Sequence, residues 1–289
     1  MPLVSMTEQL AHASTGGYAV AYCESWDLDS FQAVLQAAAE MQAPMIAGFN
    51  GGFLGSRSLA AYAGLGLAIR ESPVPVSFLL NETDDFAQIE QGLRLGFNAV
   101  MVDNDHLPFD DYRRLVRRVV ALAHPLNVAV EAQVGRLPSG AEPGSGEVTD
   151  PALARAFVAE TGVDALAVAV GNVHILTEGT SPIDFDALAR IRDQVRIPLV
   201  FHGGTGLPPE CFARAISLGV VKFNFGTVLK QAYLAALATA LQAYHPPMSP
   251  HPFLGMGGPQ DILMAARAAV TAQVRDILTR TANRSVSQD

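Results

Sequence analysis

Eight short, nearly continuous apolar segments recur along this chain, and between most of them the hydrophobic residues switch to a helical spacing. The segments are Ala19–Cys23, Pro44–Phe49, Val76–Asn81, Ala99–Asp103, Val128–Val134, Ala165–Val170, Pro198–His202 and Val221–Phe225. Strands that are apolar on both faces belong to parallel sheets covered by helices, because each face must be shielded from water. Strand–helix alternation leads to that architecture, and eight repeats predict closure into a (β/α)8 TIM barrel of the α/β class. Helical periodicity covers Ser30–Met41, Phe86–Leu95, Tyr112–His124, Pro151–Thr161, Phe185–Val195 and Pro208–Leu218. Asp85 stands as an N-cap, as does Asp150 ahead of a proline suited to the first helical position. The stretch 135–148 (GRLPSGAEPGSGEV) is too rich in Gly, Pro and Ser for regular structure and is expected to form a lid-like loop. A closing helix is expected near 260–282, followed by a frayed tail over 283–289.

With 289 residues, 49% of them hydrophobic, the chain is long enough for one barrel, and a single domain spanning 1–289 is expected. A net charge of −9 argues against nucleic acid or an anionic membrane surface as partner, since both need a basic field. Cys23 and Cys211 lie far apart without metal-ligand spacing, which agrees with a reducing cytoplasm. No apolar run approaches the roughly 18 residues that a membrane span requires.

Active sites of such barrels lie at the carboxyl ends of the strands, so polar residues there carry extra weight. Asn81, Glu82, Asp103, Glu131, Gln133, His174, His202 and Asn224 all fall in or just after these ends. His174 and His202, with Glu82 or Asp103 adding oxygen, make a donor set of two imidazoles and a carboxylate suited to a divalent ion such as zinc. The run His202–Gly206 (HGGTG) and the turn Asn224–Thr227 each join a strand to a helix, where backbone amides can close around an anion. Such turns after the seventh and eighth strands form the common phosphate site of this barrel.

At these residues the chain resembles the class II, metal-dependent fructose-bisphosphate and tagatose-bisphosphate aldolases. The resemblance is carried by GGYAVAY, GFNAVMVDNDHLPFDDY, NVAVEAQVGRL, TDPALARAFVAETGVDALAVAVGNVH, PLVFHGGTGLP and VKFNFGTVLK, in the family's order. It implies that His174 and His202 are zinc ligands, that Gly203, Gly204, Thr205, Gly226 and Thr227 hold the substrate phosphate, and that Asn224 contacts the substrate backbone. Where the family carries Leu-Asp-His-Gly this chain has Leu80-Asn81-Glu82-Thr83, and Glu-Ala-Glu-Leu-Gly becomes Glu131-Ala132-Gln133-Val134-Gly135. An amide at Asn81 cannot carry the proton that the family's aspartate carries. Glu82 is then expected to replace the missing imidazole, with Asp103 or Glu131 moving protons; Asp105, where the family commonly has serine, is read as a solvated turn residue first and as an extra proton carrier second. Lys222 and Lys230 are the only lysines, and the alternation of the eighth strand puts Lys222 on the same face as Asn224. The resemblance implies a divergent lyase acting on a phosphorylated ketose through a metal-stabilised enediolate. A metal-dependent epimerase or isomerase and a non-catalytic sugar-phosphate binder are the alternatives, and a homo-oligomer is expected.

Overall fold

The computed structural model describes residues 2–103, 106–140 and 147–282. Asp105, the middle of the expected lid loop and the expected tail lie outside the described residues.

The chain opens with α1 (Met6–Gly16) and then alternates: β1 (Val20–Ser25), α2 (Leu28–Glu40), β2 (Met45–Asn50), α3 (Leu59–Leu65), β3 (Val76–Thr83), α4 (Phe86–Arg94), β4 (Ala99–Val102) and α5 (Phe109–Ala123). It continues through β5 (Ala129–Val134), α6 (Pro151–Thr161), β6 (Ala165–Val168), α7 (Phe185–Gln194), β7 (Leu199–Phe201), α8 (Pro209–Ser217), β8 (Val220–Phe225), α9 (Thr227–Leu241) and α10 (Ile262–Thr281). All eight strands are parallel, and β8 pairs with β1 to close the barrel. The expected strands and helices are present, with ends displaced by a few residues. The helix starts follow capping chemistry: Asp85 accepts from the amides of Ala87 and Gln88, and Asp150 from those of Ala152 and Leu153.

Two apolar layers follow from the pleat of the strands, whose side chains alternate between the helical shell and the barrel interior. The shell layer includes the stacked rings of Phe31 and Phe49 and of Phe78 and Phe97. The interior layer holds Val20, Ile46, Leu79, Met101, Ala167 and Val200, and is plugged from below by Met6, Leu10 and Ala13 of α1. This helix was not expected, because its apolar stripe is only three residues long. The plug is also fastened by polar contacts: Gln9 Nε2 donates to the Met45 and Pro75 carbonyls, and Ser77 Oγ donates to Gln9 Oε1 at 2.8 Å. Among the described residues, no helix is long and apolar enough to cross a membrane.

Candidate active site

The interior turns from apolar to charged on passing up the barrel. Glu131 on β5 and Lys222 on β8 are both fully buried, and Lys222 Nζ lies 2.9 Å from Glu131 Oε2 and 2.6 Å from Asn224 Oδ1. From Glu131 the contacts continue upward. His202 Nε2 donates to Glu131 Oε1 at 2.9 Å, His202 Nδ1 stands 3.2 Å from Glu82 Oε1, and the same oxygen is 3.6 Å from His174 Nε2. Lysine, carboxylate, imidazole, carboxylate and imidazole therefore alternate from deep in the barrel to its mouth. Burying charges is costly unless each has a partner, and this alternation supplies one at every step.

The electrostatics follow from that order. Burial by itself would push the Glu131 carboxyl up, but the Lys222 ammonium and the His202 imidazole hold it below the ordinary value. Burial lowers Lys222, and its Glu131 partner offsets only part of that. Burial would likewise raise Glu82, yet His174 and His202 outweigh it and keep the carboxyl well below the usual carboxylate range. His202 loses basicity to burial and regains more from Glu131 and Glu82, which raise it to about 9.

Local backbone aims these groups. Glu82 adopts a left-handed conformation (φ 49°) where the β3–β4 register shifts between Leu80 and Thr83, and such a bulge re-aims a side chain at the rim of a barrel. Its second oxygen accepts from Asn50 Nδ2 at 2.5 Å, while Asn50 Oδ1 accepts from the Phe53 amide. Asn172 is fully buried and donates to the carbonyls of Val168 and His202, tying the segment that carries His174 to the end of β7. The first part of the expected lid is fastened to that segment too: the His174 amide donates to Pro138 O and the Gly140 amide to His174 O. Gly203 must be glycine, since it has φ 76° and a Cβ there would collide with the Val173 carbonyl.

Above the charged column lies a cavity of about 300 Å³. Of the residues expected in the site, Asn81, Glu82, His174, Gly203, Thr205, Asn224, Gly226 and Thr227 line it. Gly204 and His202 sit behind this lining, buried, and His202 reaches the cavity by way of Glu82. Asp103, Glu131 and Gln133 do not line it. Glu131 is committed to Lys222 and His202 beneath the floor, and the Gln133 amide donates to the Gly135 carbonyl at the root of the loop. Among the described residues, Glu131 would act on a substrate proton only by way of His202. Sequence reasoning missed Tyr22, Glu24, Asn50, Asn172 and Lys230. For Tyr22, Glu24 and Asn50 the available signal was their place at the ends of the first two strands.

Three buried polar atoms in the cavity wall have no hydrogen-bond partner among the described residues: Tyr22 OH, Asn81 Oδ1 and Asn224 Nδ2. Buried polar groups are normally paired, so these mark where a polar ligand completes the site. The donor chemistry of Glu82, His174 and His202 also suits a divalent ion. Four ligands at about 2.0–2.2 Å in a tetrahedron lie about 3.3–3.6 Å from one another, and the two nitrogen–oxygen separations here, 3.6 and 3.2 Å, lie close to the two ends of that range. Among the described residues, no group of three or more His, Cys, Asp or Glu side chains stands ready-made as a metal cage. What the imidazoles share is one oxygen, so the fit is in donor type and pairwise spacing.

Comparison with known proteins identifies the family. Residues 4–284 match the family described as fructose-bisphosphate aldolase class-II. The crystal structure of the YdjI aldolase from Escherichia coli K12 superposes with a TM-score of 0.81 at 28% identity, covering 96% of this chain and 97% of that one. A fructose-bisphosphate aldolase from Campylobacter jejuni superposes with a TM-score of 0.76 at 18% identity, covering 96% and 94%, which supports the fold alone. Given a family match that runs through the barrel, the histidines and both glycine turns, this chain belongs to the class II fructose-bisphosphate aldolase family.

Proposed function

We propose that this chain is an aldehyde-lyase that cleaves or condenses a phosphorylated ketose with the help of a divalent ion, zinc by preference, held by Glu82, His174 and His202. The observation that carries the reading is the convergence of the His174 and His202 imidazoles on one carboxylate oxygen of Glu82 at the mouth of the barrel. The ion would supply the positive charge that makes the ketose carbonyl electrophilic and the carbon beside it acidic.

The remaining work falls to the chain's own residues. Glu131 accepts from His202 Nε2, which orients the ring and leaves Nδ1 facing Glu82, as a carboxylate behind a metal-binding histidine usually does. Lys222 keeps Glu131 ionised in that role. The turns at Gly203–Gly206 and Gly226–Thr227 hold the phosphate through backbone amides, as the starts of helices do for anions. Tyr22 OH, Asn81 Oδ1 and Asn224 Nδ2 take hydrogen bonds from or give them to the sugar hydroxyls. Cleavage requires the β-hydroxyl of the ketose to lose its proton while the α-carbon keeps the bonding electron pair. Asn81 cannot accept that proton, and Glu24 and Glu82 are the carboxylates that line the cavity among the described residues. An amide in place of a proton carrier also favours a second reading, in which the same enolisation serves epimerisation or isomerisation.

The test is calorimetric titration of zinc, manganese and cobalt into the native chain and into His202→Ala and His251→Ala. Binding is expected in the native chain and in His251→Ala, and to be lost in His202→Ala. Cleavage of ketose phosphates is then followed with the bound ion present. Failure of all three ions to bind the native chain removes the metal assignment and the lyase reading with it.

A further inference from the structure

Glu24 ends the inner face of β1, is 8% exposed, and lines the cavity on the side where α9 begins. Its Oε1 is 2.6 Å from Lys230 Nζ, whose ammonium also lies 4.7 Å from the centre of the Phe53 ring. Its other oxygen lies so close to Gly226 that a Cβ at that position would collide with it. A carboxylate thus rests against the start of α9, where the phosphate of a sugar would be drawn by the same amides. Thr205 Oγ1 accepts from the Val228 amide, so one donor of this helix start is already engaged. The cavity-wall groups with no partner among the described residues, Tyr22 OH, Asn81 Oδ1 and Asn224 Nδ2, are all uncharged and suit hydroxyls.

We propose that Glu24 is a specificity-determining residue: it places a resident negative charge in the anion subsite, neutralises Lys230, and weakens the hold on a phosphate dianion relative to an uncharged polyol. The inference rests on the placement of phosphate at Gly203–Gly206 and Gly226–Thr227 proposed above. The physical reason is that like charges a few ångströms apart in a poorly solvated pocket repel strongly, while a Lys230 already paired has little attraction left to offer. Hydroxyl recognition by the neutral groups depends far less on that charge, because neither the groups nor the hydroxyls are ionised.

The test is calorimetric titration of inorganic phosphate, and separately of fructose, into the full chain and its Glu24→Gln, Glu24→Asn and Glu24→Gln/Lys230→Met variants. Either single variant with a native-like thermal transition is expected to bind phosphate roughly tenfold more tightly, or better, with fructose affinity within about twofold. Adding Lys230→Met should remove the gain. If the native chain binds phosphate and neither folded single variant binds it more tightly, the role of Glu24 is overturned and the phosphate site stands. If phosphate produces no heat with the native chain or any variant, the phosphate site itself is wrong and this inference falls with it.

Discussion

The two ends of the barrel interior solve the burial problem in opposite ways. At the amino end the strands meet an apolar plug, in which Met6, Leu10 and Ala13 of α1 fill the space beneath Ile46, Leu79 and Val200. At the carboxyl end the interior is filled by charge, from Lys222 through Glu131 and His202 to Glu82. Packing tolerates loss in proportion to the volume removed, because apolar atoms have no obligatory partner. A chain of buried charges tolerates no missing member, since each removal strands its neighbour in a medium that cannot solvate it. The lower end can therefore serve stability alone, while the upper end holds ionised groups in fixed positions, which is what a reactive site requires.

Three perturbations sharpen or break this contrast. The largest effect is expected for Lys222→Met, which keeps the volume but removes the ammonium beside Glu131 and leaves His202 as its partner. Breaking such a pair costs about 3–5 kcal/mol, read from chemical denaturation, and weaker divalent-ion binding in the folded variant should accompany it. A cost below about 1 kcal/mol, the scale of an exposed pair, would show that His202 alone suffices for Glu131.

Next comes Leu10→Ala in the plug, with an expected loss of about 2–5 kcal/mol from transfer and cavity terms. Ion and phosphate affinities should be unchanged after correction for the folded fraction. If ion affinity falls as well, the two ends are coupled and the contrast drawn above fails.

The smallest effect concerns Asp261, the N-cap of α10, which accepts from the Leu263 and Gly257 amides. Replacing a capping aspartate by alanine costs about 1 kcal/mol. The Gly257 amide is the largest influence holding this carboxyl below its ordinary value, and the Leu263 amide adds to it. A depressed carboxyl stabilises the fold above its unfolded pKa, near about 3.9, and that contribution is lost as pH falls through the lower folded value. The native chain and Asp261→Ala should therefore differ at neutral pH and converge below about pH 4. A difference that persists undiminished at lower pH would assign the effect to packing.

Much of the site was legible because barrel topology converts position in sequence into position in space. Once eight strands are counted, His174, His202, Asn224 and the glycine turns are expected at one mouth; His174, Asn224, Gly203 and Gly226 line the cavity there, and His202 lies behind it against Glu82. Glu131 shows where that logic stops. It sits in a strand near its upper end, as expected, but one layer below the cavity floor, where its neighbours are Lys222 and His202. Depth along a strand depends on the stagger between strands, and no single segment encodes that stagger. Glu24 and Lys230 were missed for a related reason, being 206 residues apart in sequence and 2.6 Å apart in space.

The sequence by itself determined the elements, their order and the residue types available at the mouth, because periodicity, capping and the parallel crossover rule are local or topological properties. Tertiary structure alone decided which carboxylate faces the cavity and which is spent on a buried lysine, and that a left-handed bulge turns Glu82 toward two imidazoles. It also brought Glu24 against the start of α9. These outcomes depend on closure, where β8 meets β1 and sets the register at which residues from opposite ends of the chain face each other across the interior.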